Sequence, residues 1–226
     1  MVAQQLREVR ERIERAAARA GRDPETVRLL AVTKTHPRSV VDEAIDAGIT
    51  VFGENRVQEA SGKYADRTDV ELHLIGHLQR NKARLVPGLF SWVESIDAYA
   101  TAETLSRRCE ASGAECSILL QLNSSGESSK YGYAGSSALL DEAASIAELP
   151  ALRVRGVMTI GPFTDDGAEI ARAFATTRDA YERLQRELPA AAVDTLSMGM
   201  SHDFEIAIAE GSTEIRVGSV LFGARS

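Results

Sequence analysis

The sequence predicts an α/β fold of the TIM type, a (β/α)8 barrel with an extra helix at its N-terminus. Three observations predict it. Short β-rich apolar runs recur eight times, at 28–33, 50–52, 71–75, 92–96, 117–122, 153–158, 195–197 and 214–217. Amphipathic stretches separate them, at 39–47, 55–64, 79–84, 98–112, 135–147, 166–187 and 203–210, and strands that alternate with helices form parallel βα units. Eight such strands close a barrel. The alternative is an open doubly wound sheet, but the glycine-rich turn that holds a dinucleotide after the first strand of such a sheet is absent here.

The opening helix is read from Leu6, Val9, Ile13, Ala16, Ala17 and Ala20, spaced by threes and fours, with Gly21 as its stop. The first strand follows and ends in an unexpected residue: LLAVT leads into Lys34 and a Thr-His-Pro turn. In a (β/α)8 barrel the C-terminal strand ends form the working face. A lysine there loses hydration, so its neutral amine becomes more available for attack on an aldehyde. The other reading, and on position alone the commoner one, is a lysine that snorkels to the rim and pairs with a carboxylate.

The second strand runs into FGENRVQEA, where Gly53 permits close backbone approach and Glu54 and Asn55 bring polar groups to the face that carries Lys34. Asn55 can touch a ligand, cap the next helix, or do both. After the third strand, HLIGHLQRNK gathers His77, Gln79, Asn81 and Lys82, while His73 lies on the strand and reads as core. No His/Asp/Glu set has metal-ligand spacing, so no metal is expected. The fifth strand opens into QLNSSGESSKYGY, a Ser- and Gly-rich loop with Lys130, readable as a cover over the mouth or as a solvated loop. Met158, in RGVMTIGPF, reads as a core methionine or as packing against a flat ring.

The last two units say most. TIM barrels often bind phosphate in the loops after strands seven and eight, beside a helix N-terminus. Here LSMGMSHDFEIAIAEG supplies Gly199 and the Ser201 hydroxyl, and a helix is expected to start near Asp203 with its amides toward that spot. STEIRVGSVLFGAR supplies Gly218 and Ser219. Either segment alone is equally a tight turn with a serine cap; both at the phosphate position favour a ligand. Strand alternation sends Arg216 to the same side as Gly218.

Composition bounds the function. The chain has 226 residues, 44% hydrophobic and 26% charged, as in an ordinary soluble domain. Lys plus Arg number 26 against 33 Asp plus Glu, a net charge of −7. That disfavours nonspecific binding to nucleic acid or to anionic membranes. Cys109 and Cys116 match no metal motif and read as reduced thiols. The charged N-terminus has no signal core, and no apolar run nears the roughly 20 residues of a membrane span. One domain over 1–226, located in the cytoplasm, is expected.

Taken together, AVTKTHP, FGENRVQE, HLIGHLQRNK, the GES-K-G loop, GVMTI, LSMGMSHDFEIAI and GSTEIRVGSVLFGAR resemble the pyridoxal-phosphate homeostasis proteins, the YggS/PROSC family. The resemblance covers nearly the whole chain after the first helix. It implies a barrel like the N-terminal domain of alanine racemases (fold type III of the enzymes that use this cofactor), with pyridoxal 5′-phosphate held covalently. Carried over by motif, Lys34 is the Schiff-base lysine, Asn55 lies near the ring, and Met200 lies beside the phosphate loop. Ser201, Gly218 and Ser219 hold the phosphate, and Arg216 faces the pyridine nitrogen. Because arginine keeps its proton, that nitrogen would stay unprotonated, which weakens the ring as an electron sink. The loop reads GESSKYGY rather than a GEESKSG-like sequence, a departure from the family pattern at Ser128 to Tyr131.

The resemblance implies a monomer that buffers the cofactor or delivers it to apoenzymes, without catalytic residues of its own. The alternative is a weak amino-acid racemase. Two-sided proton transfer needs an acid or base on each face of the ligand, and Lys34 serves only one. Alanine racemases take the opposing tyrosine from a C-terminal β domain, which a chain ending at Ser226 is expected to lack. A third reading is a class I aldolase that uses Lys34 without a cofactor.

Overall fold

The computed structural model describes residues 1–127 and 130–223. Eight parallel strands close into a barrel in sequence order: β1 (Arg28–Val32), β2 (Val51–Glu54), β3 (Glu71–Leu74), β4 (Trp92–Ile96), β5 (Cys116–Leu122), β6 (Leu152–Thr159), β7 (Thr195–Ser197) and β8 (Glu214–Val217). The ring closes where β8 pairs with β1, from Arg28 opposite Glu214 to Ala31 opposite Val217. The fold class read from the sequence is the one observed.

Around the strands lie α2 (Arg38–Asp46), α3 (Val57–Tyr64), α4 (Tyr99–Ser112), α5 (Ser136–Ala147), α6 (Gly167–Glu187), α7 (Phe204–Ala209) and α8 (Ser219–Phe222), preceded by α1 (Val2–Arg19). The main apolar core fills the layer between strands and helices. Two small apolar clusters are separate from it: Leu30, Val32 and Ile75, and Trp92, Leu119 and Met158. They belong to the barrel's interior, where alternate side chains of each strand point. Met158 is therefore a core residue.

Helix α1 buries Val2, Leu6, Val9, Ile13, Ala16 and Ala17, and each large aliphatic side chain so buried is worth roughly 1.5–3 kcal/mol. Its Arg12 guanidinium sits 4.4 Å over the Phe204 ring, and in the turn after the helix Arg22 Nη1 donates to the Ile208 carbonyl at 2.7 Å. No helix among the described residues is long and apolar enough to cross a membrane. Cys109 and Cys116 are buried free thiols.

Several boundaries differ from the sequence reading. The helix expected at 79–84 is a 3₁₀ turn, Arg80–Leu85. Strand β1 stops at Val32, one residue before Thr33, whereas β2 runs on to Glu54. Helix α3 begins at Val57 with Arg56 as its N-cap residue and no side-chain cap bond. Asn55 therefore does not cap that helix. Two short elements were not anticipated: the 3₁₀ turn Pro24–Thr26, capped by the Asp23 side chain on Glu25 N at 3.0 Å, and α8. At the β6–β7 pairing a Cβ on Gly156 would stand 1.7 Å from the Thr195 carbonyl oxygen, so only glycine lets these strands meet.

Candidate functional site

Lys34 follows β1 in a turn closed by His36 N donating to Thr33 O at 3.1 Å. Within that turn Thr35 has φ 69°, a left-handed conformation that is a true outlier for a β-branched residue. The neighbouring elements hold it there. Thr35 N donates to Glu59 Oε1 at 2.5 Å, and Lys63 Nζ donates to the same oxygen at 2.6 Å. Lys63 Nζ also donates to Glu54 Oε1 at 2.9 Å and to Thr33 O at 2.7 Å. Thr33 Oγ1 completes the set with Glu54 Oε1 at 2.7 Å and Tyr64 OH at 2.6 Å. Burial raises the Glu54 pKa despite its hydrogen bonds from Thr33 and Lys63. It also raises that of Tyr64. Glu54 therefore faces this clamp under Lys34 and not the open face of the barrel.

On the far side, β7 and β8 deliver the remaining candidates. Gly199 has φ 97°, and a Cβ there would fall 2.6 Å from the Ala207 Cβ; no other residue fits without shifting α7. Its carbonyl accepts from Arg216 N at 2.9 Å, which ties the β7 loop to β8. Ser201 Oγ then lies 3.3 Å from Gly218 N. A Cβ on Gly218 would approach Val32 O to 3.0 Å, so glycine lets the β8 end close on β1.

The helix expected to present its amides near Asp203 does not do so. The amides of Asp203 and Phe204 both donate to Met200 O, at 3.1 and 2.9 Å. The helix that opens at this spot is α8, whose N-cap is Gly218. Serine after glycine at the end of an apolar strand was the signal for it, and a four-residue helix is too short for periodicity to reveal.

These loops enclose a cavity of about 260 Å³. Lys34, Asn55, Met200, Ser201, Arg216, Gly218 and Ser219 all line it, so the seven sequence candidates come together. Val32, Ile75 and Ile160 supply apolar wall, and His36 and His202 complete its titratable rim. The His36 ring also packs at 5.3 Å on Phe222 of α8. Arg216 is only 4% exposed. Its Nη1 donates to Ser197 Oγ at 2.7 Å and its Nη2 to Thr159 O at 2.6 Å.

His77, Gln79 and Lys82 line a separate depression that shares Asn55 with this cavity, where Tyr131 stacks on His77 at 3.8 Å. Lys130 links two loops at the mouth, donating to Gly161 O at 2.8 Å and to Glu127 Oε1 at 2.6 Å. Ser128 lies outside the described residues.

Sequence spacing suggested no metal set, yet the fold brings ligand atoms of His73, Glu94 and Glu214 within 4.8 Å of one another. The cation there is Arg28: its Nη2 is 2.6 Å from Glu214 Oε2 and 3.2 Å from His73 Nε2. Both His73 nitrogens already face carboxylates, Glu94 at 2.7 Å and Glu71 at 2.6 Å. Sequence reasoning placed His73 in the core and missed its partners.

Comparison with known proteins agrees with this fold. The model of the alanine racemase N-terminal domain family matches residues 4–226. A protein of Pseudomonas aeruginosa named pyridoxal phosphate homeostasis protein is 46% identical over 226 residues, covering 99% of this chain and 96% of its own. The Escherichia coli K12 protein of the same name is 46% identical over 233 residues, covering 99% and 97%. The structure of PipY from Synechococcus elongatus, solved with PLP bound, superposes with a TM-score of 0.86 at 38% identity, covering 99% of this chain and all of that one. With an alanine racemase N-terminal-type barrel matched almost end to end and relatives this similar over nearly their full length, the chain belongs to the pyridoxal phosphate homeostasis protein family.

Proposed function

We propose that this protein binds pyridoxal 5′-phosphate at the barrel mouth, bonds its aldehyde carbon through Lys34, and serves cofactor homeostasis by buffering and delivering it. The observation that carries the reading is the single cavity that gathers an amine, a buried guanidinium and an amide–hydroxyl pair. When bound, the cofactor supplies an electrophilic aldehyde that condenses with an amine and releases water. The chain supplies the rest. Ser201, Gly218 and Ser219 offer hydroxyls and amides for a phosphate. Arg216 donates to the ring nitrogen without yielding its proton, and Asn55 and Met200 bound the ring and the phosphate loop. The names of the P. aeruginosa and E. coli relatives and the PLP-bound PipY structure support the same reading.

The protein acts as a cytoplasmic monomer that hands the cofactor to apoenzymes and has no catalytic turnover of its own. What supports the homeostasis role over turnover is the name that the P. aeruginosa and E. coli relatives carry. Borohydride reduction of the loaded protein, followed by peptide mapping, should place the label on Lys34. A label confined to other lysines would refute the covalent assignment. Enantiomer-resolved turnover of alanine well above that of free cofactor would replace homeostasis with racemisation.

A further inference from the structure

Arg216 does not stand alone inside the barrel. From its Nη1 the chain of contacts passes to Ser197 Oγ, which donates to Glu94 Oε2 at 2.6 Å. Glu94 Oε1 meets His73 Nδ1 at 2.7 Å, and His73 Nε2 meets Glu71 Oε1 at 2.6 Å. Arg28 closes the far end, with Nη1 on Glu71 Oε1 at 2.8 Å and Nε on Glu214 Oε2 at 2.7 Å. Arg216 lines the mouth cavity, whereas Arg28 borders a depression with α1 residues and keeps its side chain 34% exposed. Guanidinium, carboxylate, imidazole, carboxylate and guanidinium therefore follow one another through the barrel.

The arrangement has a chemical consequence. Among the described residues no carboxylate pairs directly with Arg216, and its polar partners are a hydroxyl and a carbonyl. A direct bidentate carboxylate would occupy the planar fork of the guanidinium. Here Glu94 acts through Ser197, so the remaining donors stay available to a neutral nitrogen in the cavity. Alternating charge in a dry interior strengthens each link of such a series. Burial alone would lower the His73 pKa, but Glu214, Glu71 and Glu94 outweigh it and keep the imidazole charged.

We infer that Ser197, Glu94 and His73 are positioning residues for Arg216, and that this buried ladder fixes the guanidinium against the ring nitrogen of the bound cofactor. The inference rests on the cofactor reading above. It makes the state of the ring at the mouth depend on side chains that do not line the mouth cavity.

The test uses the full chain loaded with pyridoxal 5′-phosphate, comparing the parent with Glu94→Gln and Ser197→Ala. Glu94→Gln removes one charge, and Ser197→Ala removes only one hydroxyl should the first variant fail to fold. In the parent, the visible band should stay constant over about pH 5–8, where histidine and similar bases titrate. In both variants the band should become pH-dependent as Arg216 loosens its hold on the ring nitrogen. Cofactor Kd should rise about tenfold, the scale of one charge-assisted hydrogen bond. In the cofactor-free protein, the Arg216 guanidinium signals in ¹⁵N NMR should lose exchange protection in Ser197→Ala. Folded variants with the parent's pH profile, affinity and guanidinium protection would overturn the ladder alone. A parent that develops no band at all would overturn the cofactor reading and the inference with it.

Discussion

Lys63 Nζ donates to the Thr33 carbonyl at 2.7 Å, directly beneath the turn that presents Lys34. Its two other short contacts go to Glu54 and Glu59, so all three ammonium protons are engaged. The mouth thus uses two lysines differently: Lys63 as a buried brace, Lys34 as a lining amine. Removing the brace leaves Glu54, which is fully buried, without its cation. Breaking a buried pair in this way costs about 3–5 kcal/mol. Urea unfolding of Lys63→Ala should show a loss of that size, and a loss below about 1 kcal/mol would show that the pair is slack.

The left-handed Thr35 gives a second prediction. Proline at 35 would lose the amide that meets Glu59 and would force φ near −65° in place of 69°. Thr35→Pro should cost about 3 kcal/mol or more. Thr35→Gly relieves strain of about 1–2 kcal/mol but loosens the unfolded chain by about 0.4–1 kcal/mol, so it should be neutral to stabilising, by no more than about 1.6 kcal/mol. Thermal melts of the two variants check both.

Gly76 makes Asn55's place in the cavity testable. A Cβ on Gly76 would stand 2.2 Å from the Asn55 carbonyl oxygen, so Gly76→Ala must push the Asn55 backbone aside. Overpacking of this kind costs about 1–3 kcal/mol, and cofactor affinity should fall with it. Spectroscopic titration measures the second effect. Unchanged affinity would remove Asn55 from the binding surface.

The buried imidazole predicts a pH dependence of stability. Desolvation opposes the charge on His73, but the carboxylates of Glu214, Glu71 and Glu94 win and raise its pKa from 6.5 to about 9. A base that holds its proton more tightly when folded contributes fully below 6.5, and that contribution is lost as pH rises through 9. Glu214 acts in the same direction. Burial, then the charge of Glu94, raises it from 4.5 to about 7, and its contribution is lost as pH rises through that value. Unfolding free energy should therefore decline from about pH 4.5 to 9, first through Glu214 and then through His73, and His73→Gln should flatten the part above about pH 6.5.

The strand–helix alternation made the barrel legible, because each βα unit carries its own period. The cavity was legible for a different reason. TKT, GEN, SMGMS and RVGS each place a polar or glycine residue where an apolar strand ends, and in a barrel those ends converge. What stayed hidden depends on closure. Glu94 lies in WVESI and Ser197 in TLS, and nothing local says that these two side chains meet at 2.6 Å. The brace from Lys63 to Thr33 spans 30 residues and two elements. Helix α8 was hidden by its four-residue length, and the amides expected of α7 were taken by the Met200 carbonyl, a turn that the sequence does not encode visibly.

The most direct test of the central claim is the visible spectrum of purified protein after addition of pyridoxal 5′-phosphate, for the parent and for Lys34→Ala. The parent should develop an absorbance band that hydroxylamine discharges, and Lys34→Ala should fold normally and show no such band. An identical band in Lys34→Ala would contradict the assignment of Lys34 as the amine that holds the cofactor.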